Sequence, residues 1–295
     1  MHPSGAAIRI GERELYLERE GRGQRLLLLA GLGPAGSHAV FHPAFTNLAA
    51  DHEVIYVDLF GRGRSGKPAH LDEIDFAGDA HDVAGLLELL GPSHVYGFSY
   101  GGLLAQQLAL DRPGLVRSLA LANTLHSPEM WQANHANINR ELENQYPEVW
   151  EQILALRAGG IPSTAPEMQR LFAAAMRLVR FYNPDNAEKL AHLAEPGARN
   201  QALYPVFCGA DVDFIIGGKI PAIPDFRPRL REISCPMLIV AGRYDRALYP
   251  RCQRELASFA PQARFLMLER SGSFAHVEEP ETLFAAVREL IATAK

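Results

Sequence analysis

The feature that most constrains this fold is an alternation of short apolar segments with longer amphipathic ones. Eight segments have strand length: residues 6–10, 15–19, 25–30, 54–58, 95–98, 119–123, 236–241 and 264–268. From the third onward they are almost entirely apolar, which is typical of strands buried on both faces of a parallel sheet. The first two, joined near Gly11, predict an antiparallel hairpin at one edge of the sheet.

Helical patterns separate these strands at residues 39–50, 76–90, 101–111, 249–259 and 279–294. Strands that alternate with helices of this length predict βαβ units and an α/β sheet covered by helices. The alternation stops between residues 124 and 225, where only helical patterns with proline- and glycine-rich joints occur. We therefore predict a core of residues 1–123 and 226–295, with a helical lid of residues 124–225 inserted over one end of the sheet.

The amino-acid composition limits the kinds of molecule that this chain is expected to bind. The chain has 29 Lys+Arg against 34 Asp+Glu and a net charge of -5, which argues against a nucleic-acid or anionic-membrane partner. Its N-terminus lacks the basic and apolar regions of a signal peptide. No apolar run is long enough for a transmembrane helix. We expect a soluble, cytoplasmic protein whose partner is a small molecule or a short peptide.

No cofactor or metal is predicted. The three cysteines, Cys208, Cys235 and Cys252, are too scattered for metal-ligand spacing or a disulfide framework. The glycine-rich stretch 58–66 lacks the spacing into a helix that a dinucleotide site requires, so we interpret it as a structural loop.

The strongest local signal is the pattern G-x-S-x-G at residues 97–101, which lies between a predicted strand and a predicted helix. A nucleophilic serine on a sharp strand-to-helix turn adopts strained backbone angles, and neighbours without a Cβ let the chain pass close by. The turn also directs the next backbone N–H towards a developing oxyanion. The pattern predicts Ser99 as a nucleophile.

A serine needs a base to take its proton and a carboxylate to orient that base. In this arrangement the order along the chain is Ser, Asp, His. Asp245 directly follows the strand at 236–241, and His276 follows the last strand. Asp211 and Asp225 precede the strand of Asp245 and belong to the lid or its end. We predict Asp245 as the acid and His276 as the base.

The loop after the third strand, residues 31–36, contains three glycines and leaves backbone N–H groups available. We predict that the N–H of Leu32 forms the oxyanion site with the N–H of Tyr100, and that Gly33 lies beside the substrate. The predicted chemistry is acyl transfer to water through an acyl-enzyme on Ser99.

With these residues the chain resembles the α/β-hydrolase fold family, most closely the proline iminopeptidase branch. The resemblance covers nearly the whole chain and rests on five segments: residues 30–38, 54–65, 96–102, 236–245 and His276. It implies the α/β-hydrolase fold, a mostly parallel sheet flanked by helices with an inserted helical lid, and hydrolysis of an ester or amide.

Two departures from the family pattern bear on the substrate. Relatives usually carry His-Gly where this chain has Ala30-Gly31. Relatives of the peptidase branch bind the substrate's ammonium group with acidic residues, and one of those positions matches Arg243 here. A cation there would repel an ammonium ion by several kcal/mol at close range. Asp213 resembles the other acidic position, so Asp213 and Arg243 are our candidate substrate-binding residues.

Three functions remain open at this point. An exopeptidase that releases an N-terminal residue, proline above all, predicts an acidic clamp such as Asp213. A carboxylesterase or lactonase predicts no such clamp, which suits Arg243 better. A non-catalytic small-molecule receptor of the same fold would show no turnover on any acyl substrate.

Overall fold

A single mixed sheet of eight strands carries the fold in the computed structural model, which describes residues 5–294. The spatial order is β1-β2-β4-β3-β5-β6-β7-β8. The strands are β1 Ala6–Ile10, β2 Arg13–Glu20, β3 Gln24–Leu29, β4 His52–Asp58, β5 Ser93–Phe98, β6 Val116–Ala122, β7 Met237–Gly242 and β8 Arg264–Leu268.

Strand directions follow the hydrophobic pattern. β1 pairs with β2 and β2 with β4 in antiparallel register, whereas β3 to β8 pair in parallel. The central strands β5 and β7 are buried along their whole length, as expected for strands covered on both faces. The predicted edge hairpin and the predicted α/β sheet are both confirmed.

Nine α-helices lie within the described residues: α1 Phe76–Leu90, α2 Tyr100–Asp111, α3 Pro128–Gln145, α4 Pro147–Ala158, α5 Pro166–Arg180, α6 Leu203–Cys208, α7 Pro250–Phe259, α8 Ala275–Glu278 and α9 Pro280–Thr293. The segment predicted as one helix at 39–50 instead forms two 3₁₀ turns, His38–Phe41 and Ala44–Ala50. Pro43 between them has no N–H to continue a helix. No helix in residues 5–294 has the length and hydropathy needed to span a bilayer.

The helices α3 to α6 all lie between β6 and β7, in the segment predicted as a lid. Side chains from α3, α4 and α5 form a hydrophobic cluster of their own, which includes Ile138, Ile153, Met168 and Phe172. The segment therefore has an apolar interior separate from the two clusters that cover the sheet. The boundaries at residues 124 and 225 stay a prediction.

The parallel strands bring six loops to one edge of the sheet. These are the loops that follow the carboxyl ends of β3, β4, β5, β6, β7 and β8. In open α/β sheets, ligands bind in the crevice outside this edge. The candidate residues after β3, β5, β7 and β8 therefore share one end of the molecule, with α3 to α6 as neighbours.

Candidate active site

Ser99 lies on the sharp turn between β5 and α2. Its backbone has φ 53 and ψ -118, a region that non-glycine residues rarely occupy. The neighbouring glycines make this turn possible, because a Cβ on Gly101 would lie 2.0 Å from the carbonyl oxygen of Leu29 and one on Gly97 would lie 2.6 Å from the Cα of Gly102. The strained serine stands at the carboxyl edge of the sheet, as the sequence pattern predicts for a nucleophile.

Two backbone N–H groups flank this serine. Leu32 has a left-handed backbone, with φ 76, and lines the same cavity as Ser99. Tyr100 is the first residue of α2, so its N–H has no partner within the helix. Among the described residues neither N–H has a recorded hydrogen-bond acceptor. Both can donate to a ligand oxygen, which is what their predicted role in an oxyanion site requires.

A buried ionic network joins these two loops. The Arg62 guanidinium forms a bidentate ion pair with Asp79, at 2.6 and 2.7 Å, and donates to the carbonyl of Pro34 at 2.7 Å. The hydroxyl of Tyr100 donates to the same Asp79 at 2.7 Å. Arg62 and Asp79 are both fully buried. The network therefore holds the loop of Leu32 and the residue after Ser99 in a fixed relation.

Asp245 lies after β7 and is buried. One carboxylate oxygen accepts hydrogen bonds from the N–H groups of Ala247 and Leu248, both at 2.9 Å, and the other accepts from the Asn123 amide at 3.1 Å. Burial raises the pKa of Asp245, while the charge of Arg180 and these hydrogen bonds oppose the rise. Asp245 faces the same cavity as Ser99, so the structure brings these two predicted residues together.

The structure contradicts the prediction that His276 is the base. Its imidazole is buried in an aromatic cluster, with the Phe98 ring centroid at 5.3 Å, and does not line the cavity of Ser99. The Nε2 atom donates to the carbonyl of Val40 at 3.0 Å, and Nδ1 has no hydrogen-bond partner among the described residues. Neither nitrogen can receive the proton of Ser99 while the other is held by Asp245.

The physical reason lies in the start of α8. The chain turns into a helix at Ala275, and this turn carries the side chain of His276 into the core. Ser273, three residues earlier, is still in the loop that follows β8 and lines the cavity. Its hydroxyl is close enough to the carboxylate of Asp245 to lower the pKa of that group. A serine therefore occupies the place beside Asp245 where a catalytic imidazole would have to lie.

We expect His276 to govern acid stability. Burial lowers the pKa of His276 to about 4, below the value of about 6.5 in an unfolded chain. The unfolded state therefore binds a proton first as the pH falls. The stability that this group contributes is complete above about pH 6.5 and is lost towards pH 4, by at most about 1.4 kcal/mol per pH unit.

The measurement is urea unfolding of wild type and His276→Gln at pH 7 and pH 5, with His81→Gln as the exposed control. The His276→Gln protein should lose less stability between the two pH values than wild type, and the control should match wild type. An unchanged pH dependence in His276→Gln would contradict this assignment.

The cavity above Ser99 has a volume of about 490 Å³ and mixed walls. This is within the usual range for small-ligand sites. Apolar side chains from the lid segment form much of its lining: Ile138, Phe172, Met176, Phe181, Leu190 and Leu193. Gly33 and Asp213, both predicted to lie beside the substrate, also line it. Asp213 is paired with His135 at 3.2 Å and accepts from Gln169 at 3.1 Å.

Arg243 is not part of the cavity, and its predicted role in substrate binding is wrong. The strand β7 ends at Gly242, and the Arg243 side chain extends to the surface. There its guanidinium forms a bidentate ion pair with Glu269, with Nη2 to Oε1 at 2.7 Å. The chain turns after Arg243, so that Asp245, two residues later, is buried although Arg243 is exposed.

One cluster within the described residues has the composition of a metal site. Ligand atoms of Glu18, His38 and His42 lie within 4.8 Å of one another and are buried. Burial alone would lower the pKa of His38, but its hydrogen bonds to Asp58, at 2.7 Å, and to Glu18 raise it to about 9. A protonated His38 offsets one of the two carboxylate charges and cannot bind a metal ion, and the Arg64 guanidinium lies 3.5 Å from Glu18.

Sequence reasoning missed many polar residues of the cavity, and four of them matter for the argument below: Ser273, Arg180, Arg199 and Tyr204. Ser273 carried one signal, since it is the serine of a Gly-Ser pair in the loop after the last strand, where the base was sought. The other three belong to the segment between β6 and β7, which has no strand periodicity to show which residues face the sheet edge.

The fold and this site define the class of protein. A family model described as the alpha/beta hydrolase fold matches residues 24–280. The chain belongs to the alpha/beta hydrolase family.

Within this family the chain is similar to a proline iminopeptidase of Heyndrickxia coagulans, with 26% identity over 279 residues that cover 93% of this chain and 92% of that protein. It is also similar to a pimeloyl-acyl-carrier-protein methyl ester esterase of Aeromonas hydrophila, with 28% identity over 281 residues and coverage of 93% and 98%. The crystal structure of a proline iminopeptidase from Mycobacterium smegmatis shares the fold, with a TM-score of 0.77, 21% identity and coverage of 99% and 98%. These relatives confirm the predicted resemblance and support a hydrolase.

Proposed function

We propose that this chain cleaves a small ester by acyl transfer to Ser99, without a histidine base beside the serine. The observation that carries the proposal is the strained turn of Ser99, which faces a cavity of about 490 Å³ together with Leu32, Asp245 and Ser273. Strain of this kind persists where the surrounding structure enforces it, and it clusters at functional sites.

The chemistry follows from the groups in the cavity. The Ser99 Oγ attacks the ester carbonyl, and the N–H groups of Leu32 and Tyr100 stabilise the oxyanion. The ester C–O bond then breaks, and the proton lost by the Ser99 hydroxyl passes through solvent water to the departing alcohol. A second water molecule hydrolyses the acyl-enzyme to the free acid and restores Ser99. Binding and an oxyanion site alone still accelerate such reactions about 10³–10⁴-fold over water. We expect a slow hydrolase in which the acyl-enzyme accumulates.

The same reasoning favours an ester over an amide. An amine leaves only when a general acid protonates it, and this proton normally comes from the catalytic imidazole. An activated ester has a better leaving group and depends less on that proton. The predicted ammonium clamp is also weakened, because Asp213 is already engaged by His135 and Gln169. The exopeptidase is therefore the less supported of the two hydrolase hypotheses.

A second candidate is a small-molecule receptor of the hydrolase fold. The observation that favours it is that His276 is held by Val40, so no imidazole links Ser99 to Asp245 in the described part of the chain. A receptor would use the cavity for binding alone. Absence of both turnover and covalent labelling at Ser99 would support it.

The test of the proposed function is the variant Ser99→Ala. We expect hydrolysis of p-nitrophenyl butyrate to fall to the rate in buffer, because the nucleophile is removed. Intact-protein mass spectrometry of wild type should show an added butyryl group, which the variant should lack. The exposed Ser258→Ala serves as the matched control and should behave as wild type. Equal turnover in Ser99→Ala and wild type would refute the proposal.

A further inference from the structure

Two arginines face the cavity of Ser99 without a carboxylate partner. Arg180 ends α5, and Arg199 lies in the chain between α5 and α6; both line the cavity. Among the described residues no Asp or Glu oxygen lies within 4 Å of either guanidinium. Arg177 stands in contrast, since it borders the same cavity but pairs with Glu188 at 2.9 Å. Two cations in one cavity are thus left for a ligand.

The backbone fixes both arginines to the loops that form the site. The carbonyl of Arg180 accepts from the N–H of Ser273 at 2.7 Å, and its Nη1 lies 3.5 Å from the Ser273 hydroxyl. Arg199 forms an isolated β-bridge with Gly36, in the loop after β3. The next residue, Asn200, donates its N–H to Ala35 at 2.9 Å. The backbone of Arg180 is therefore tied to the loop after β8, and that of Arg199 to the loop after β3.

The electrostatics of the cavity suit an anion. Arg199 is exposed as a residue, but partial desolvation of its guanidinium lowers its pKa, and the neighbouring charge of Arg180 lowers it further. An anion between the two would relieve this repulsion. Tyr204 also lines the cavity. It can donate to the same ligand.

The acidic groups of the cavity have polar partners of their own. The carboxylate of Asp213 accepts from Gln169 and lies 3.2 Å from the imidazole of His135. Asp245 accepts from two backbone N–H groups and from Asn123, and the charge of Arg180 also favours its ionised form. Among the described residues of the cavity, Arg180 and Arg199 therefore remain as cations with no carboxylate oxygen within 4 Å.

We propose that the cavity binds an ester substrate that carries a carboxylate, held by Arg180 and Arg199 with the Tyr204 hydroxyl as a further donor. Guanidinium groups match carboxylates in a bidentate geometry. The inference rests on the proposed function, since it assigns the rest of the molecule whose carbonyl meets Ser99. The apolar lid side chains then contact the methylene chain between carboxylate and ester.

The experiment separates binding from chemistry by using Ser99→Ala protein. Calorimetry compares monomethyl glutarate, an anion at pH 7, with dimethyl glutarate, its neutral counterpart of similar size. We expect the anion to bind about ten- to a hundredfold more tightly, as one or two charge-assisted hydrogen bonds would give. Arg199→Gln and Arg180→Gln should each reduce this preference at least several-fold. Arg177→Gln, the matched control, should leave it unchanged.

Each outcome decides the assignment. Equal affinity for the two esters, or an equal loss in the Arg177→Gln control, would overturn it, as would tighter binding of butyl phosphate than of the carboxylate. Arg199→Lys keeps the charge and should retain part of the preference, which covers the case of a poorly folded glutamine variant. Turnover of p-nitrophenyl butyrate by wild type, without any preference for the anion in Ser99→Ala, would leave the proposed function standing and remove this inference alone.

Discussion

Replacement of Ser273 by histidine should raise the kcat/KM for p-nitrophenyl butyrate by about 10²–10⁴-fold, the usual contribution of a general base. Ser273 lines the cavity beside Asp245, and its hydroxyl is close enough to lower the pKa of that carboxyl group. An imidazole there could bond Asp245 through one nitrogen and take the proton of Ser99 with the other. The gained rate should rise with pH through the pKa of the new imidazole, because only its neutral form is a base.

Ser273→Asn is the matched control, since asparagine is polar and branched but cannot act as a base at neutral pH. The double variant Ser99→Ala/Ser273→His should return to the rate in buffer. A gain that persists without Ser99, or one that Ser273→Asn reproduces, would show that position 273 does not lie where a base operates.

Replacement of Arg62 by methionine should cost about 3–5 kcal/mol of unfolding free energy, as the loss of one partner from a buried ion pair does. The change leaves the Asp79 carboxylate buried with only the Tyr100 hydroxyl near it, and it leaves the carbonyls of Pro34 and Phe60 without their donor. Urea unfolding measures the loss. Labelling of Ser99 by a fluorophosphonate should also slow, because Pro34 belongs to the loop that carries Leu32.

The matched control is Arg117→Met, the same substitution at an exposed position on β6. It should change the unfolding free energy by no more than about 0.5 kcal/mol. The double variant Arg62→Met/Asp79→Asn should lose less than the sum of the two single losses, because the buried charge is then removed. Equal midpoints for Arg62→Met and Arg117→Met would contradict the assigned role of the network.

The sheet could be predicted because its parallel strands are almost entirely apolar segments of the sequence. Segments such as 54–58 and 236–241 are apolar on both faces, which only a covered parallel strand allows. The turn of Ser99 was predictable because close packing of the backbone requires glycine at positions 97 and 101, and the sequence has glycine at both. Steric requirements of the backbone can thus be inferred from the sequence alone.

The sequence did not reveal which residue lies beside Asp245 in the cavity. His276 and Ser273 are three positions apart, and only the start of α8 decides which of them faces the cavity. Successive side chains of a helix are rotated by about 100° from one another. If the predicted start of the helix is wrong by one or two residues, a side chain expected in the cavity lies in the core instead. The prediction of His276 rests on its chemical type and its position after the last strand, but the backbone places its side chain among phenylalanines.

The arginines show the same limit. Arg243 is a candidate because it lies two positions before Asp245, where the resemblance implies a substrate-binding residue, yet its side chain pairs with Glu269 at the surface. Arg180 and Arg199 come from a segment with no strand pattern, and only tertiary packing brings them to Ser99. Proximity along the chain is a poor guide to the charge inside a cavity that several loops enclose.

The last turn of α5 has a mechanical consequence. The carbonyl of Val179 accepts from the N–H of Arg246 at 3.2 Å, and the next carbonyl, of Arg180, accepts from the N–H of Ser273 at 2.7 Å. One helix end thereby anchors both loops that flank Asp245. If that end lifted, it would pull Asp245 and Ser273 apart from their neighbours. We therefore expect a ligand to enter the cavity past another part of its rim, while the C-terminal end of α5 stays in place.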